Sequence, residues 1–175
     1  KCFWDAGVPK DVLQFIPSFD SKVAMQLTKS KAVEMIVFTG GTNTALSIIK
    51  SNPSVKMIAE TGGKNVTIVT KYSDRDGAIK NVLQSAFSNS GQKCSATSIL
   101  ALEKEIYEDE KFLHTLVDAA ASLTVDGAWN LKTKVNPLIR KPLPDLEYAL
   151  TQIESHERWL LKPKCLNKKQ KNGVI

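Results

Sequence analysis

Residues 34–50 read EMIVFTGGTNTALSIIK, and the fold turns on them. EMIVF is a continuous apolar run of strand length, Gly40-Gly41 stops it, and TNTALSIIK from Thr42 carries a helical pattern. The order is strand, tight glycine turn, helix. The double glycine is open to two readings. One is a turn that needs positive φ; the other is flexible backbone whose amides, with the helix dipole, suit a pyrophosphate.

The theme repeats on either side. Downstream, Val55 to Ala59 reads as a strand ending at Glu60, Gly62-Gly63 follows, and Val66 to Thr70 is a β-branched run. Asp74 and Asp76 are N-cap candidates for a helix through Ala78, Ile79, Val82, Leu83 and Phe87, which Gly91 breaks just before Cys94. Residues 97–102 form a strand, and Asp109 to Leu123 an amphipathic helix. Asn136-Pro137, Pro142 and Pro144 mark a loop, Asp145 to Ile153 a helix, and Trp159 to Leu161 a final short strand. Upstream, DVLQFIP at 11–17 reads as a short strand and Ser21 to Ser30 as a helix. Strands alternating with helices imply an α/β class built on open, mainly parallel sheets.

Composition bounds the function. The chain has 175 residues, 42% hydrophobic, with 24 Lys+Arg against 18 Asp+Glu, which describes a globular protein and excludes disorder, collagen and coiled coil. Much of the formal charge of +6 sits on Lys162, Lys164, Lys168, Lys169 and Lys171. That tail lacks interleaved aromatics, so it reads as a solvated basic end rather than a nucleic-acid surface. Cys2, Cys94 and Cys165 form no paired spacing, and His114 and His156 do not cluster with them, so no metal site is expected and a reducing compartment is the default. No apolar run reaches the roughly eighteen residues of a membrane helix, and the N-terminal residues lack a signal-peptide pattern. A cytoplasmic protein is expected.

Two residues stand where chemistry could occur. Cys94 lies in SGQKCS, 90–95, where a small-residue break, a neighbouring cation and local amides favour a thiolate; a buried structural cysteine is the competing reading. Glu60 stands at a predicted strand C-terminus before Thr61-Gly62-Gly63, the end of an open α/β sheet where ligands collect, and is either a general base or a capping or pairing group.

Together, FTGGT at 38–42, ETGGKN at 60–65 and SGQKCSA at 90–96, with AGVP at 6–9 and NPLI at 136–139, resemble the aldehyde dehydrogenase superfamily over essentially the entire chain. Within it, AETGGKNVTIVT and SAFSNSGQKCSATS look most like L-glutamate γ-semialdehyde (1-pyrroline-5-carboxylate) dehydrogenase, as in the C-terminal module of bacterial bifunctional proline-utilisation proteins. The resemblance implies residues 1–62 as part of an NAD-binding, Rossmann-like domain and 63–175 as part of the catalytic thiol domain. It implies Cys94 as the nucleophile and Glu60 as the base that activates water. It also implies Thr39, Gly40, Gly41 and Gly62 beside the NAD cofactor and Ser95 as the residue that holds the substrate carboxylate, a local backbone hydrogen bond being its alternative. Lys64 and Asn65 are expected to support their turn.

The same resemblance implies a homo-oligomeric parent acting on a small aldehyde in proline catabolism. A proline dehydrogenase module with its FAD would stand upstream in a bifunctional parent. Gly41 stands where the wider family often has serine, and Asn136 replaces the glycine of GPLI, a position expected to accept a left-handed conformation. A full subunit is several times longer, so these residues are expected to form a fragment with little turnover alone and with exposed apolar surface that favours self-association. The rival from another class is a non-catalytic α/β binding or scaffold module in which Cys94 and Glu60 are structural.

Overall fold

The computed structural model describes residues 1–18 and 20–166. They divide into a first compact unit, Lys1–Thr61, and a second that begins at Gly62. The basic run Lys168, Lys169 and Lys171 lies outside the described residues.

In the first unit, a single helical turn α1 (Cys2–Asp5) precedes α2 (Ser21–Lys29), β1 (Met35–Gly40), α3 (Thr42–Ser51) and β2 (Lys56–Thr61). Asp20 caps α2 by accepting from the Lys22 N–H at 2.8 Å. Strands β1 and β2 pair in parallel from Met35↔Lys56 to Gly40↔Thr61. Side chains alternate along each strand, so Ile36, Phe38 and Met57 share one face, and α3 crosses between the two strands with Ala45 and Ile48 buried. Burying a side chain such as Ile48 contributes about 1.5–3 kcal/mol. The opposite face shows Met35, Val37 and Ile58 to solvent, Val37 being 74% exposed.

The second unit repeats the plan. β3 (Asn65–Val69) leads into α4 (Arg75–Phe87), a 3-10 turn at Ser88–Gly91, and β4 (Thr97–Leu102), which pairs in parallel with β3. Next come the one-turn helix α5 (Lys104–Tyr107), α6 (Glu110–Ala121) and α7 (Pro144–Thr151). Asp74 caps α4 through the Gly77 N–H, and Asp109 caps α6 through the Phe112 N–H at 3.1 Å. Val69, Ile79, Leu83, Ile106 and Phe112 make the core, with Leu100, Leu102 and Leu116 packed on it. Here too one sheet face stays open, Ile68 being 71% exposed.

The α/β class with parallel strands is what the alternation predicts. Four local expectations need correction. DVLQFIP is not a strand: no strand among the described residues offers it a ladder, and Val12, Phe15 and Ile16 are exposed. Trp159 to Leu161 is a bend rather than a strand, with Leu160 and Leu161 turned into an apolar cavity shared with Leu146 and Leu150 of α7. The double glycine does not need positive φ, since Gly41 has φ −75° and Gly40 is outside the left-handed set. Asn136 is not left-handed either; in the second unit that conformation falls to Asn89, Ser90 and Gly91, directly before the Cys94 loop.

Candidate active site

Parallel pairing places Thr39 opposite Glu60 and Gly40 opposite Thr61, so the glycine turn and the candidate base share the C-terminal end of one sheet. Glu60 lies in the last but one residue pair of the ladder and is exposed. Phe38 folds its ring over Gly40: a Cβ there would stand 2.6 Å from Phe38 Cζ, which is why glycine occupies the position. Gly41 is the N-cap of α3 and supplies no side-chain acceptor, so the leading N–H groups of that helix keep their donor capacity. Around Gly62 a Cβ would meet nothing within 4 Å.

In the second unit, Cys94 and Ser95 are the two central residues of a turn closed by Ala96 N–H donating to the Lys93 carbonyl at 3.3 Å. Both are exposed, while Ala96 is buried and anchors the turn to the start of β4. A reactive thiol needs that access, which Cys2 and Cys165 share. Among the described residues no group of His, Cys, Asp and Glu could hold a metal ion.

Several residues that hold this turn carry no chemical signal in the sequence. Asn65 Nδ2 donates to the Cys94 carbonyl at 2.7 Å and to the Ala96 carbonyl at 2.9 Å, so it supports the cysteine turn rather than its own. Thr67 Oγ1 and Thr97 Oγ1 lie 2.8 Å apart, and Thr97 Oγ1 donates to Ser85 Oγ at 2.9 Å, tying β3, β4 and α4 together below the turn. The ladder slips after Asn65↔Thr97, so Ser98 bulges out of β4. Ser90 Oγ donates to the Asn136 carbonyl, and Gln92 Oε1 accepts from Ile139 N–H at 3.2 Å, fastening the approach to Cys94 onto the NPLI segment. These partners lie far apart in sequence. Only the polar character of SGQK hinted at them.

No helix among the described residues is long and apolar enough to cross a membrane. Residues 1–165 match the aldehyde dehydrogenase family model. Betaine aldehyde dehydrogenase of Bacillus subtilis is 37% identical over 79% of this chain and 28% of its own length. 1-Pyrroline-5-carboxylate dehydrogenase 1 of Halalkalibacterium halodurans is 32% identical over 77% of this chain and 27% of its own. Among solved structures, proline utilization A (PutA) from Corynebacterium freiburgense superposes with a TM-score of 0.91 at 34% identity, over 98% of this chain and 17% of that one. A betaine aldehyde dehydrogenase from Staphylococcus aureus in complex with NAD+ gives 0.73 at 28% identity, over 78% of this chain and 27% of that one. The chain thus spans about a quarter of the length of these curated relatives. A family match over nearly every described residue, on a parallel α/β frame that presents an exposed cysteine turn, establishes that the chain belongs to the aldehyde dehydrogenase family.

Proposed function

We propose that the protein to which this chain belongs oxidises L-glutamate γ-semialdehyde, the open form of 1-pyrroline-5-carboxylate, to L-glutamate with NAD. The observation that carries the chemistry is the exposed Cys94 at the tip of a turn pinned from beneath. The substrate choice rests on the 1-pyrroline-5-carboxylate dehydrogenase relative and on the PutA fold, whose likeness covers 98% of this chain.

In this reading the Cys94 thiolate adds to the aldehyde carbon, and the Cys94 N–H donates to the oxygen that gains charge. One such donor contributes roughly 3 to 4 kcal/mol. NAD, when bound, would accept the hydride lost by the thiohemiacetal carbon, and Cys94 would be left carrying the acyl thioester. Glu60 then takes a proton from the water that hydrolyses the thioester. Ser95 Oγ donates to the substrate carboxylate.

The first unit's turn fits the cofactor. Thr39, Gly40 and Gly41 would hold the pyrophosphate and nicotinamide ends at the uncapped N-terminus of α3, and Gly62 is assigned to the same cofactor. Residues 1–62 thereby serve as cofactor domain and 63–175 as thiol domain. An upstream proline dehydrogenase module with FAD would feed the aldehyde to a homo-oligomeric parent, and the 175 residues alone are expected to turn over little.

Following NADH formation at saturating NAD tests this reading. Full-length protein is expected to use 1-pyrroline-5-carboxylate well and betaine aldehyde poorly, and Cys94→Ser to abolish both activities. A preference for betaine aldehyde would overturn the substrate assignment, and activity in Cys94→Ser would overturn the nucleophile.

A further inference from the structure

Two peptide groups flank the Cα of Cys94, and the carbonyl of each is held from inside the protein. The Lys93 carbonyl accepts from Ala96 N–H at 3.3 Å, and the Cys94 carbonyl accepts from Asn65 Nδ2 at 2.7 Å. A trans peptide points its N–H opposite to its C=O, and the chain has no cis bond among the described residues. Fixing those two carbonyls therefore fixes two donors: Cys94 N–H points away from Ala96, and Ser95 N–H points away from Asn65. Neither N–H has a protein acceptor among the described residues.

The first constraint is an ordinary turn bond. The second comes from a side chain 29 residues away at the head of β3, and its second hydrogen goes to the Ala96 carbonyl at 2.9 Å. One planar amide thus spans both ends of the Cys94-Ser95-Ala96 stretch. Without it the Cys94-Ser95 peptide could rotate, because Cys94 and Ser95 are exposed and no other side chain holds them.

Resting on the nucleophile reading of Cys94, we propose that Asn65 is a positioning residue for that reaction: it locks the Cys94-Ser95 peptide so that the two N–H groups stand ready for an oxyanion. It touches no substrate. Its contribution is preorganisation, which acts only where negative charge grows on a carbonyl oxygen.

That distinction gives the test. An activated p-nitrophenyl ester acylates a thiolate through an oxyanion: the Cys94 Sγ–carbon bond forms, the carbonyl electron pair moves to oxygen and returns, and p-nitrophenolate leaves. Iodoacetamide alkylates the same thiolate by displacing iodide and develops no oxyanion. Both rates are read at Cys94 by peptide mass spectrometry, with Cys2 and Cys165 on the same chain as controls.

Asn65→Ala should lower the ratio of acylation to alkylation at Cys94 about ten-fold, in line with the cost of misplacing preorganised donors. Asn65→Leu keeps the side-chain bulk without its donors and should give the same drop, so a folding defect peculiar to one variant does not decide the outcome. A general loosening of the loop would move both rates together and leave the ratio intact. An unchanged ratio, with wild-type Cys94 acylated in preference to the other two cysteines, overturns the role of Asn65 alone. Wild-type acylation spread evenly over all three cysteines overturns the nucleophile reading and this inference with it.

Discussion

Thr39 and Glu60 are register partners at the C-terminal end of the β1–β2 pair, which sets the candidate base beside the glycine turn that opens α3. The Glu60 side chain makes no hydrogen bond or ion pair among the described residues, so nothing in the fold of its unit depends on its charge. Glu60→Gln should therefore leave thermal stability within about 0.5 kcal/mol of wild type. A scaffold role would instead cost stability, and a melting curve separates the two.

Gly40 tests the turn itself. With Phe38 Cζ 2.6 Å from where a Cβ would stand, any larger side chain must push the ring out of its place over the turn. Gly40→Val is expected to destabilise by less than the cost of core overpacking, about 1–3 kcal/mol, because Gly40 is exposed and the clash is with the tip of the Phe38 ring. At the next residue, Gly41→Ser meets only Thr44 Oγ1 at 4.0 Å and should be tolerated. Paired denaturation curves check both.

The staple between the cysteine approach and NPLI gives a local prediction. Gln92→Ala removes the acceptor of Ile139 N–H and should cost about 1 kcal/mol, as a typical hydrogen bond does. Faster amide exchange should appear at Ile139 and across 93–96, and not in α6.

The loop before NPLI carries a pH dependence. The Asn130 side-chain amide, followed by the Gly127 N–H, holds the Asp126 carboxyl below its ordinary value. A carboxylate with a lowered folded-state pKa stabilises above its unfolded pKa, and that contribution is lost as pH falls through the folded one. Amide exchange at Asn130 and Thr133 should thus rise on acidification below the usual carboxylate range, and Asp126→Asn should remove that dependence.

How far the sequence reveals this depends on how local each signal is. The β1–turn–α3 unit is legible because an apolar run, a glycine stop and a helical repeat act within a few residues. The caps Asp74 and Asp109 are legible for the same reason. DVLQFIP has strand propensity and no strand, because a strand exists only with a neighbour to pair with. Gly40 is visible as glycine, yet the reason for it is the Phe38 ring. Asn65 is beyond sequence reading, since its two acceptors come 29 and 31 residues later. Cys94 and Glu60 stand out only in the company of their motifs.

In the proposed reaction Cys94 carries the substrate as a thioester that Glu60 helps to discharge. The most direct test incubates full-length Glu60→Gln protein with 1-pyrroline-5-carboxylate and NAD, quenches in acid, and maps acyl adducts by peptide mass spectrometry. The expected result is a glutamyl thioester that accumulates on Cys94 only when NAD is present, with Cys2 and Cys165 unmodified. No adduct on Cys94, or one spread evenly over the three cysteines, would contradict it.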